Sequence, residues 1–357
     1  KLGGDMGLYT KSLNLIDELF TQSEWKNYIQ NIVGSANSGS YKNISIRNYL
    51  ISNPEQTSRF GDEIAIIVAS GTIMAGEQPS GVVGGDTIAR HIRAARFDKD
   101  VKALVLRVDS PGGSLIGSEV IREEVDLAKE AGKPVIVSMG SLAASGGYWI
   151  SATASEVWAS PTTITGSIGI FALIPTFADT IAKIGVVVDG VGTTPLSGGF
   201  NLGLGLNEAT KDILQQSISN GYRDFVTLVS KGRNLSFDVV EGLAQGRVWD
   251  GQSALQKGLI DKLGTLDDAI KSAAHLSGLL DYNVRYVEDT PSFEKKLAQF
   301  FFGSTLVQEN IPKQSYFGPT KLFLTKLIEN TKTLTSLNDP MGLYVLCPDC
   351  VVEQGIR

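Results

Sequence analysis

The stretch VKALVLRVDSPGGSLIGSEVIREEVDLAKEAGKPVIVSM, residues 101–139, sets the fold. It opens and closes on apolar runs rich in β-branched residues, VKALVLRV (101–108) and KPVIVSM (133–139). Runs of that length read as strands buried on both faces. Between them SPGGS (110–114) reads as a tight turn and SEVIREEVDLAKEA (118–131) as an amphipathic helix. Strand, helix and strand together make a crossover unit that returns the chain to a parallel neighbour. Upstream, EIAIIVA (63–69) repeats the strand texture, and DTIARHIRAARF (86–97) reads as a helix capped by Asp86. Downstream, VVVDG (186–190) reads as a strand and residues 207–231 as a long helix. Shorter helices follow near 236–245, 252–258 and 266–277. The fold class is therefore α/β.

Composition narrows the function. With 42% hydrophobic and 20% charged residues over 357 positions, the chain buries a sizeable core. A net charge of −6 and the lack of any Lys/Arg-rich block argue against a nucleic-acid partner. KLGGDMGLYT has no initiator Met and reads as the interior of a longer chain. The charge-free stretch 157–178 holds two Pro and two Gly, so it reads as core and loop rather than a membrane span. In the tail, SFEKKLAQFFFGSTLV and PTKLFLTKLIENTKTL have amphipathic spacing. They would dock on the body, on a partner or on a membrane surface. Cys347 and Cys350 form C-x-x-C, which reads as a local disulfide, a redox pair or two inert thiols. Zinc would need further ligands, and the chain has only His91 and His275.

Two short segments are alike: SLNLIDEL (12–19) and QKGLIDKL (256–263) share L-I-D-x-L. As a repeat, this would make residues 1–20 the end of a first unit and 63 to about 277 a complete second one.

The chemistry centres on GSLAASGGYWIS (140–151), where Ser145 stands among small residues. A serine hydroxyl needs a base. His91 lies within an amphipathic helix and His275 in the last helix of the unit, so a Ser-His-Asp triad has little support. Backbone N–H groups for an oxyanion fit Gly112 or Gly113 in DSPGGS and Gly146 directly after Ser145. Ser167, between two glycines in TITGSIGIF (163–171), reads as a second hydroxyl of the site or as a buried serine bonded to backbone.

RVDSPGGS, GSLAASGGYWIS, SPTTITGSIGIF and GRVWDGQSALQKGLIDKLG, in this order and spacing, resemble the signal peptide peptidase A (protease IV) family of the Clp/crotonase superfamily. The closing NDP…YVLCPDC and the opening KLGGD…NLIDEL resemble the C-terminus and the end of the first repeat of that family's long form. The resemblance implies a repeated ββα superhelix with a helical C-terminal extension. It divides the chain into 1–60 (end of a truncated first repeat and linker), 61–280 (peptidase repeat) and 281–357 (extension). It implies a Ser/Lys dyad, with Ser145 as nucleophile, Ser167 orienting the base, and Gly112, Gly113 and Gly146 as the oxyanion-hole positions.

A lysine base must have a lowered pKa. GVGTTPLSGGFN (190–201), where single-repeat relatives carry it, has none, and Lys183 and Lys211 read as solvated. In the family's long form the first repeat supplies the Lys and the second the Ser, so the resemblance implies a base upstream of this sequence. No cofactor or metal is implied. Peptide substrates, namely signal-peptide remnants, are expected, together with a homo-oligomer and association with the periplasmic side of a bacterial inner membrane. Leu142, Ile168, Ile170 and Phe171 are candidates for an apolar substrate groove. The alternatives are a crotonase-like acyl-CoA enzyme and a catalytically incomplete scaffold.

Overall fold

The computed structural model describes residues 6–36, 40–46, 49, 52, 61–79, 82–174, 176–201, 203–288, 338–340 and 342–347. Both predicted tail helices lie outside the described residues. The chain divides into two compact units, 1–58 and 59–357.

The first unit carries helices α1 (Met6–Ser12) and α2 (Gln22–Val33). Helix α2 starts after Thr21 because Thr21 and Glu24 form a reciprocal capping box. Asn14, at φ 54°, turns the chain between the two helices.

In its first two passages the second unit repeats one motif: a strand for a large sheet, a short strand for a small sheet, then a helix. First come β1 (Glu63–Ser70), β2 (Ile73–Met74), β3 (Val83–Gly84) and α3 (Gly85–Phe97). Then follow β4 (Val101–Ser110), β5 (Gly112–Ser114) and α4 (Leu115–Glu130). The third passage is β6 (Val135–Ala144), α5 (Gly146–Trp149), β7 (Glu156–Ala159), β8 (Ile164–Gly166) and β9 (Phe171–Ala172). Helices α6 (Ala178–Ala182), α7 (Glu208–Arg233) and α8 (Phe237–Leu243) come next. They are followed by β10 (Val248–Asp250), α9 (Gly251–Gln256), β11 (Lys262–Leu263), α10 (Leu266–Leu276), β12 (Asn283–Tyr286) and β13 (Leu343–Leu346). This is the ββα arrangement that the motif order leads one to expect.

The large sheet runs β10-β8-β6-β4-β1-β12, with β7 also beside β6 and β11 beyond it. The small sheet runs β3-β2-β5-β13-β9. Strands β12, β1, β4, β6 and β8 are mutually parallel, which explains the long apolar runs of β1, β4 and β6. Ala65 and Ile67 face one core, against Ile88 and Ile92 of α3 and Ile121 and Val125 of α4. Ile64 and Ile66 face a second core, against Ala269 and Ala273 of α10. Buried Glu124 accepts from Arg93 (2.8 Å) and Arg96 (3.2 Å), tying α4 to α3.

Four local expectations change. SPGGS is not a simple turn, because Gly112–Ser114 leaves the large sheet and enters the small one. Asp86 does not cap its helix, which starts at Gly85 without a side-chain cap. VVVDG forms no strand, and Val187 is 86% exposed. Ile168 is fully buried in the main core and does not line a groove. No helix among the described residues is long and apolar enough to cross a membrane.

Candidate active site

The site forms where β6 ends. Strands β4 and β6 keep register to Val108↔Met139, then resume at Ser110↔Ala143. Strand β6 therefore carries extra residues here, and a bulge of this kind bends a strand. Asp109 fills the bend: its carboxylate accepts from the Leu142 N–H (3.0 Å) and lies where a side chain on Gly140 would be. Thr163 and Thr165 hydroxyls donate to the Gly140 and Ala143 carbonyls, each at 2.7 Å, lacing β8 to β6.

Ser145 follows directly. Its backbone, at φ 53° and ψ −113°, breaks the strand, and its N–H donates to the Gly166 carbonyl (2.8 Å). Helix α5 begins at the next residue. Such a strand-to-helix elbow costs about 1–3 kcal/mol in backbone strain and aims a side chain outward from the sheet. The Ser145 hydroxyl is fully buried and has no hydrogen-bond partner. Arg96, Thr153, Thr210 and Tyr222 also carry an unpartnered buried polar atom, but among the described residues only Ser145 combines that with a positive φ. Nearby aromatic residues hold the elbow. The Tyr148 hydroxyl donates to the Leu259 carbonyl (2.7 Å), and Trp149 Nε1 donates to Glu119 (2.7 Å). Burial pushes the Tyr148 phenol far above its ordinary pKa, so it stays a donor.

Ser167 comes to the same place. Ala144 pairs with Gly166, so the two serines follow in-register residues of adjacent parallel strands. Ser167 also has positive φ (50°), and its N–H donates to the Arg247 carbonyl (2.8 Å).

The glycines separate into two roles. A methyl group on Gly112 would lie 2.5 Å from the Gly146 nitrogen and 2.0 Å from the Val345 oxygen. One on Gly146 would lie 3.0 Å from Gly112 Cα and 2.6 Å from Ser118 Oγ. Gly112 and Gly146 are thus in mutual contact beside Ser145, and a Cβ on Gly112 would cover the Gly146 N–H. Gly113 instead packs against the Ile73 carbonyl, where a methyl would fall 2.0 Å away. The Gly112 N–H donates to Ser110 Oγ (3.1 Å), a partner that motif reading did not single out.

No lysine of the described chain stands ready as base. Lys183 follows α6 on the surface, and Lys211 is 54% exposed and paired with Glu208. Burial lowers the Lys133 amine, but Lys133 lies before β6, roughly 30 Å of strand from Ser145. His91 is half-buried in α3 and His275 is exposed on α10. Leu142, Ile170 and Phe171 are half-buried near the site.

The sequence also gave no pointer to β13, which runs antiparallel between β5 and β9. Cys347, at its end, is disulfide-bonded, and Cys350 is the only other cysteine in the chain.

Fold and site together define an α/β chain that displays a serine at a strand-to-helix elbow beside two glycine backbones. The family model described as Peptidase family S49 matches residues 127–280, which include Ser145 and Ser167. Protease 4 of Salmonella typhi is 41% identical over 352 residues, covering 98% of this chain and 56% of that protein. The putative signal peptide peptidase SppA of Enterococcus faecium is 34% identical, covering 57% of this chain and 59% of that one. The putative protease slr0021 of Synechocystis sp. is 34% identical, covering 61% of this chain and 75% of that protein. This chain belongs to peptidase family S49, in its protease 4/SppA branch. It spans about half the length of the curated relatives it matches over its full extent.

Proposed function

We propose that this chain carries the nucleophile half of a serine endopeptidase of the Ser/Lys-dyad type. The observation that carries the proposal is Ser145, where backbone strain and an unpartnered buried hydroxyl coincide. A buried hydroxyl without a partner costs about 1–3 kcal/mol, and a catalytic role is one reason for a fold to keep it.

In this reading Ser145 Oγ attacks the scissile carbonyl. The N–H groups of Gly146 and of the 112–113 turn stabilise the oxyanion, with Gly112 the closer of the turn's two glycines. Ser167 positions the base amine. The base takes the Ser145 proton and returns it to the leaving amine. Solvated Lys183 and Lys211 support a base supplied from outside this sequence, in a repeat of which residues 1–60 are the end. Residues 61–280 would then be the peptidase repeat and 281–357 its extension.

The substrates proposed are remnants of cleaved signal peptides, at the periplasmic side of the bacterial inner membrane. The name of the Enterococcus relative supports that substrate class. Exposed Ile184, Val187, Val191 and Phe200 support an assembly surface in a homo-oligomer. The acyl-CoA reading is disfavoured by the family, and Asp109 and Glu119 beside the elbow are engaged by the Leu142 N–H and the Trp149 indole.

A serine-reactive fluorophosphonate probe tests the proposal on this chain and on the chain extended upstream, each with a Ser145→Ala control. Labelling that needs both Ser145 and the upstream part is expected. Labelling of this chain alone that Lys183→Ala or Lys211→Ala abolishes would overturn the split dyad. No labelling in either form would favour the scaffold.

A further inference from the structure

Strand β13 lies where a peptide would have to lie. It pairs antiparallel with β5 (Leu346↔Gly112, Val345↔Gly113, Tyr344↔Ser114) and with β9 (Tyr344↔Phe171, Leu343↔Ala172). Among the described residues β9 has no other strand neighbour. Without β13, the edges of β5 and β9 would face each other across a slot one strand wide, roughly 10 Å. One wall of that slot is the glycine turn, and the elbow of Ser145 adjoins it. The Val345 carbonyl presses on both Gly112 and Gly146, at 2.0 Å and 2.9 Å from where their methyl groups would be. Cys347 packs on Ala144, the residue before Ser145. With the strand in place Ser145 has no exposure at all, and a sealed nucleophile meets no substrate.

We propose that residues 343–346 are an internal competitor for the peptide groove, which takes an extended apolar segment. This rests on the peptidase reading of the site. The occupant's chemistry describes the groove: Val345 is fully buried, Leu343 and Tyr344 nearly so, and the Tyr344 ring meets Phe171 at a tilt, centroids 5.9 Å apart. The hold on the strand is one that can be released. Its pairing is backbone pairing, which any extended peptide reproduces. Its anchor is Asp339, which accepts from Ser114 Oγ (2.5 Å) and the Ile116 N–H (3.1 Å) at the start of α4, and from the Leu343 N–H (3.3 Å). Asn338 adds two hydrogen bonds to the Ala75 backbone.

The test measures binding, not turnover. A fluorescent peptide copying residues 342–346 is titrated into the intact chain, the Asp339→Ala variant and a chain ending at Leu337. At least tenfold tighter binding is expected in both altered chains. In the intact chain, saturating peptide should speed hydrogen exchange at 343–346 while 112–114 stays protected. Equal or weaker binding in the Asp339→Ala variant, or peptide binding that leaves 343–346 protected, would make β13 a fixed wall and overturn the proposal. Running the series in the Ser145→Ala background separates the two readings. Competition there with no probe labelling elsewhere sinks the nucleophile and keeps the groove. Labelling without competition does the reverse.

Discussion

Leu15, Ile16 and Asp17 lie exposed after a turn that recurs before Leu259 and Ile260, which are buried in the core. In the first copy Leu13, Asn14 and Leu15 N–H groups donate to Tyr9, Lys11 and Thr10 carbonyls at 3.2, 3.0 and 3.1 Å. In the second, Lys257, Gly258 and Leu259 donate to Ser253, Leu255 and Ala254 at 3.1, 3.1 and 2.9 Å. Both turn on a left-handed residue, Asn14 at φ 54° and Gly258 at φ 74°. Leu15 is nevertheless 69% exposed and Leu259 fully buried. The Leu259 carbonyl accepts from Tyr148, and Asp261 takes a bidentate Arg233 (2.6 and 2.9 Å) and the Val157 N–H (2.7 Å). The turn is thus local chemistry, and its burial is supplied by the sheet around it. The match supports the proposal that residues 1–60 end a first repeat.

The largest way to break the parallel is Asp261→Ala. Removing it strands the Arg233 guanidinium, whose side chain is 6% exposed. Urea unfolding should show a loss of about 3 kcal/mol, the low end for a broken buried pair because Asp261 is a third exposed. Asp17→Ala should stay within about 0.5 kcal/mol. Equal losses would mean that the first copy is held in place as firmly as the second.

Next is Tyr148→Phe, which leaves the buried Leu259 carbonyl unpaired. A stability loss of about 2 kcal/mol is expected, with weaker probe labelling of Ser145 in the extended chain because α5 loses its clamp. Unchanged labelling would show that the elbow does not depend on the second turn.

The smallest effects sit at the turning residues. Gly258→Ala forces a Cβ into left-handed backbone and should cost about 1 kcal/mol, since the space around it is ordinary contact distance. Asn14→Gly should be neutral or slightly stabilising. Thermal melts would read both, and opposite signs would separate the two turns.

Strands 63–70, 101–110 and 135–144 are legible in the sequence because burial on both faces writes a continuous apolar run. The helices between them are legible from their period. Gly112–Ser114 is not, because a three-residue strand with two glycines has no alternation to read. VVVDG fails for the converse reason: β-branched residues make a strand only where an edge accepts them. The site is half legible. Small residues around Ser145 and the paired glycines mark it, but the Asp109 bend and β13 depend on partners distant in sequence. Asp339 meets Ser114 across a separation of 225 residues.

The Tyr148–Leu259 hydrogen bond spans 111 residues, and this has a consequence for synthesis. A ribosome adding about 5–20 residues per second releases the elbow roughly 5–20 s before the carbonyl that clamps it. During that interval the nascent chain holds Ser145 without its final geometry. Chains arrested short of residue 259 should remain unreactive towards the probe even when the base is supplied.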